Sequence, residues 1–145
     1  MIREFIWRVY YGNFDILDKT AAVYRWMVFL HSHISLYLEP QVSAEWVSDA
    51  YVVAFLSEFA REMFKTMGLT DEGALAFRST YVASKVLNVP FERLQSRLKK
   101  LQDAPKREMQ VEMAVTDAKY AVKKFLLFKN RSAFESLVSH FYTNF

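Results

Sequence analysis

Apolar side chains return every three to four positions through almost the whole chain, and the three glycines and three prolines fall between those stretches. That rhythm follows the turn of an α-helix, not the two-residue alternation of a half-buried strand. Breaks at Gly12-Asn13, Pro40, Gly68, 88–90, Pro105 and 130–132 divide the 145 residues into about seven helices. β-branched runs are short and never alternate cleanly, so no strand is expected. The expected fold class is all-α, a compact bundle of about seven helices. One hydrophobic core serves a chain of this length, and 1–145 reads as a single helical domain.

Each segment carries its own signals. Ile2, Phe5, Ile6, Val9 and Tyr10 form one stripe on the first. Segments 14–38 and 43–67 are apolar around most of their circumference and belong at the centre. On the second of these, Glu58, Arg61, Glu62 and Lys65 share a strip expected to be its solvated outer face. Thr70 is the expected N-cap of a helix over 71–87, which Asn88 closes. Pro90 suits the first turn of the next helix, whose stripe is Phe91, Leu94, Leu98 and Leu101. Pro105 opens a long helix to about residue 129. Ser132 with Glu135 makes a capping box for the last, which lines up Phe134, Leu137, Val138, Phe141 and Phe145.

Several kinds of chemistry lack their residues. The chain has no cysteine, which removes disulfides, thiolate metal sites and a nucleophilic thiol. No Gly-x-Ser-x-Gly elbow occurs, and Gly68 and Gly73 lack the Gly-Lys-Ser/Thr ending of a phosphate-binding loop. No glutamate is followed three residues on by histidine, as a di-iron carboxylate bundle requires. His31 and His33 diverge by about 200° on a helix and cannot clasp one ion. Glu58 with Glu62, and Asp15 with Asp18, stand on single helix faces, but neither pair is persuasive as an acid–base couple. Neither a catalytic site nor a cofactor is expected. Arg25, His31 and His33 interrupt the apolar stretch 21–38, and Asp49 and Glu58 interrupt 46–60, so neither reads as a membrane span. The first residues mix charges of both signs and resemble no secretory leader, and a cytoplasmic location is expected.

What remains is surface. Residues 1–65 hold 6 basic and 8 acidic groups, whereas 66–145 hold 13 and 8. Arg93, Arg97, Lys99, Lys100, Lys106 and Arg107 form one basic cluster, and Lys119, Lys123, Lys124, Lys129 and Arg131 form another. Such asymmetry points to an acidic or nucleic-acid partner. The second cluster is interleaved with Tyr120, Phe125, Leu126 and Phe128, which are expected in the core.

Residues 80–100, TYVASKVLNVPFERLQSRLKK, place the small Ser84 where two helices would meet, Asn88 at the turn, and Leu87, Val89, Leu94 and Leu98 at holding positions. This stretch resembles the helix-turn-helix of many transcription regulators. The resemblance implies that Phe91, Glu92, Gln95, Ser96 and Lys99 face a DNA groove, with Gln95, Ser96 and Lys99 available to base edges or phosphates. Arg97 falls where the motif buries an apolar residue.

The leading expectation is a non-enzymatic interaction module, such as an adaptor, inhibitor or assembly subunit. Its partner would be another protein, bound through an aromatic patch or the basic second half, and homo-oligomers are compatible with it. The alternative is a nucleic-acid-binding regulator using 80–100. Candidate contacts are Arg93, Gln95, Ser96, Arg97, Lys99, Lys100, Lys106, Arg107, Lys119, Lys123 and Lys124. Candidate aromatic anchors are Trp7, Trp26, Trp46, Tyr142 and Phe145.

Overall fold

A computed structural model describes residues 16–35, 49–103, 109–128 and 135–144, with side chains at 19–28, 49–103, 109–126, 135–137 and 139–140. These residues form six helices packed together and no strand. They are α1 (Ile16–Ser35), α2 (Ala50–Thr66), α3 (Glu72–Leu87), α4 (Phe91–Gln102), α5 (Met109–Phe128) and α6 (Glu135–Asn144). The all-α class is as expected, and the count is six instead of about seven. The expected first helix lies outside the described residues, as do Pro105 and Ser132.

Local chemistry sets the boundaries. The backbone of Asp49 is extended (φ −76°, ψ 121°) and its carboxylate accepts the Val52 N–H at 3.0 Å, so α2 starts at Ala50 and not at Ser43. A carboxylate near the chain competes for backbone donors and turns a would-be interior position into a cap. Asp71, not Thr70, caps α3, accepting the Ala74 N–H at 2.8 Å. Pro90 sits one position earlier than expected, at the N-cap of α4, where its φ of −60° and ψ of 140° suit the entry to a helix. Gly68 (φ 90°) and Asn88 (φ 56°) both end helices in the left-handed region. At each, the N–H of the left-handed residue and that of the next residue return to carbonyls three and five positions back: Lys65 and Phe64, then Lys85 and Ser84. This pairing satisfies the last carbonyls of the helix.

α2 is the central element, buried at every position from Ala50 to Leu56 and again at Phe59, Ala60, Met63 and Phe64. α5 and α3 are its main neighbours, α1 packs on α3 and α2, and α4 packs on the same pair. On α5 the face toward the core carries Ala114, Ala118 and Ala121, all buried, and small side chains let two helices approach closely. A line of rings ties the layers together. Tyr51, Phe55 and Phe59 follow one another along α2 at 6.0 and 6.2 Å, Phe59 meets Phe125 of α5 at 6.4 Å, and Trp26 of α1 meets Phe125 edge-on at 4.8 Å. Each such pair contributes about 0.5–1.5 kcal/mol beyond the burial of its area.

The strip expected to be solvated on α2 is half covered. Glu58, Arg61 and Glu62 are half-buried and only Lys65 is exposed. α5 lies alongside, bringing Lys119 near enough to act on Glu58. Arg61 instead reaches Glu72 of α3 at 2.7 Å.

Candidate interaction surface

α4 sorts its residues cleanly. Leu94 and Leu101 are buried and Leu98 partly so, which turns Arg93, Gln95, Ser96, Lys99 and Lys100 to solvent. Arg97 is half-buried. A guanidinium can lay its methylene stem along apolar surface, which is how this residue fills a position where the helix-turn-helix pattern wants a smaller apolar one. Ser84 is buried and donates its hydroxyl to the Tyr81 carbonyl at 2.6 Å, so this position of α3 adds neither bulk nor an open donor where the helices approach.

Beside this helix lies a feature that the sequence reading missed. Phe77 and Tyr81, one turn apart on α3, stand 48% and 38% exposed with ring planes 14° apart and centroids at 6.5 Å. Phe91 at the start of α4 continues the line, 5.1 Å from Phe77. Arg78 sits 5.4 Å from the centre of the Phe77 ring and Lys85 5.5 Å from that of Tyr81. A cation held over an aromatic face is attracted by the ring quadrupole, worth about 0.5–1 kcal/mol at exposed sites. The result is a run of three rings edged with positive charge from α3.

The other candidates are distributed differently. Lys119 and Lys123 are exposed on α5, whereas Lys124 is half-buried and paired with Glu135 of α6 at 3.1 Å. Lys106 and Arg107 lie outside the described residues, as do Trp7, Trp46 and Phe145, and only the backbone of Tyr142 is described. Trp26 is partly buried and packs against the core beside Phe125. Tyr120, expected in the core, is 68% exposed because it lies across α5 from the buried alanines. Those alanines were the available signal: small residues three and four apart mark the packed face of a helix.

Two polar groupings lie nearer the core. At the start of α2, Asp49 Oδ1 also accepts from His140 Nε2 of α6 at 2.9 Å, and the His140 ring stacks on Tyr51 at 4.3 Å. The Tyr51 hydroxyl donates to Asp117 of α5 at 2.7 Å. Burial, reinforced by that bond to a carboxylate, pushes the phenol well above its ordinary range, so Tyr51 keeps its proton and serves as a donor. The second grouping is Glu58 with Glu62. Burial, followed by a hydrogen bond that protonated Glu58 donates to Glu62 and by the charge of Glu62, pushes the Glu58 carboxyl up to about 7. Arg61 and Lys119 oppose that rise.

Among the described residues, no group of three or more His, Asp or Glu side chains is placed to hold a metal ion, and no described helix is long and apolar enough to cross a membrane. Comparison with protein-family models, with curated proteins and with solved structures finds no match to this chain.

Proposed function

We propose that this chain is a non-enzymatic helical interaction module that binds another protein through the face built by α3 and α4. The observation that carries this reading is the run Phe77, Tyr81 and Phe91 at the surface, edged by Arg78 and Lys85. Leaving about half of a phenyl ring in water forgoes roughly 1 kcal/mol that burial would supply. Rings together with arginine are also the composition that dominates binding hot spots. Arg93, Lys99 and Lys100, exposed on α4, favour an acidic surface on the partner.

The test compares wild type with Phe77→Ser/Tyr81→Ser and with Arg93→Glu/Lys100→Glu as baits in a native extract, followed by affinity measurement on the recovered partner. Both variants are expected to keep the helical circular dichroism and to bind at least about tenfold more weakly. Undiminished binding by both would remove this face from consideration.

A second reading, a nucleic-acid-binding regulator, draws support from the exposure of Gln95, Ser96 and Lys99 on the helix that follows the left-handed turn at Asn88. It requires an affinity for duplex DNA that falls steeply between roughly 50 and 200 mM salt as counterions are released. A flat salt response would leave the protein-binding reading alone.

A further inference from the structure

The three most exposed large apolar side chains among the described residues share one helix: Met109 at 77%, Tyr120 at 68% and Met113 at 53%, all on α5. With the exposed Thr116 they form a line at i, i+4, i+7 and i+11, opposite the alanines that face α2. Isolated apolar residues at a surface need no explanation, but a continuous line over three turns does. Methionine is adaptable and makes favourable contacts with aromatic rings, which suits a surface that re-packs on association.

The charges beside the line point to its occupant. Glu112 and Lys119 flank it on one side and are both exposed, seven residues apart. The other flank carries Gln110, Asp117 and Lys124, of which Asp117 accepts from Tyr51 and Lys124 pairs with Glu135. From this arrangement we infer that α5 is a self-association surface on which a second copy of the chain docks antiparallel about a two-fold axis. In that pairing each Glu112 meets the second copy's Lys119, each Met109 meets the second copy's Tyr120, and Met113 lies beside the second copy's Thr116. Parallel pairing would set Glu112 against Asp117 and Lys119 against Lys124, like charges in both cases. Lys119 also acts on Glu58 of its own chain, and its exposure leaves it within reach of both carboxylates. The contact is isologous, so it closes as a dimer and does not propagate.

The test is sedimentation of the full chain from about 1 to about 200 μM, the range in which interfaces of modest area dissociate. The mass is expected to rise from 17.1 kDa toward twice that value. Met113→Glu should abolish the rise, and Glu112→Lys or Lys119→Glu alone should weaken it at least about tenfold, while an equimolar mixture of those two variants recovers it as a heterodimer. Because the chain has no cysteine, a second measurement is available. Met109→Cys mixed with Tyr120→Cys should give a disulfide between copies under oxidation in far higher yield than either variant alone. A wild type that stays monomeric throughout, a dimer indifferent to Met113→Glu, or cysteine variants that cross-link no better mixed than separate would each overturn the proposal.

Discussion

Glu58 pays the clearest electrostatic cost among the described residues. Its carboxyl is pushed from 4.5 up to about 7, first by burial and then by Glu62, so the folded chain holds this proton more tightly than the unfolded chain does. The sign follows. The full benefit of the neutral form is present below about pH 4.5, and it is lost as pH rises toward 7, because the unfolded chain releases the proton first. Part of the Glu58 side chain remains open to solvent, which brings the net penalty down to about 1 kcal/mol. Replacing Glu58 with Gln is therefore expected to raise the melting temperature by about 2–4 °C near pH 8 and to leave it nearly unchanged near pH 4. Thermal melts at the two pH values check this, and an equal gain at both would show that the effect is not titration. Asp49 has a structural part in the same helix. Its oxygen is engaged twice, by a backbone N–H and by His140, and it both begins α2 and fastens α6.

At the scale of the element, the α3–α4 turn rests on one backbone conformation. Asn88 adopts φ 56° and ψ 50°, a region that Gly enters freely, Asn at small cost and a β-branched residue only under strain. Asn88→Gly should hold or slightly raise stability, and Asn88→Val should lose about 1–2 kcal/mol in urea denaturation. Loss in both would mean that the Asn side chain, and not the backbone, is what matters. The turn, the four spans from α3 to α6 and the outward set Arg93, Gln95, Ser96, Lys99 and Lys100 were legible because the leucines of α4 and the break at Asn88 admit one register. The ring line on α3 was not. Phe77 and Tyr81 recur with core spacing, yet the buried side of α3 is carried by Leu75, Ser79, Thr80, Val82, Ala83, Ser84 and Val86, largely small or hydroxyl-bearing residues whose hydrogen bonds stay within the helix. Spacing tells which residues share a face, and size alone misidentifies which face is covered. One cap misled for a related reason, since Asp71 took over from Thr70, whose hydroxyl is a weaker acceptor than a carboxylate.

For the molecule as a whole, the rings of the described residues divide into a set that holds the bundle and a set that faces outward. Phe59 is fully buried between α2 and α5, and Phe59→Ala should cost about 3–5 kcal/mol, while Phe77→Ala should cost under about 1 kcal/mol. Urea titration of the two variants separates the roles, and comparable losses would place Phe77 among the structural rings. The inner line starts at the His140 and Tyr51 stack and ends at Trp26, so it draws on helices from both ends of the sequence. His140 and Asp49 are 91 positions apart. During translation, then, Tyr51 waits with its ring uncovered and its capping carboxylate half satisfied until residue 140 has left the ribosome. The nascent chain can gather α2 and α3 early, but it covers this end of α2 only once α6 has been made.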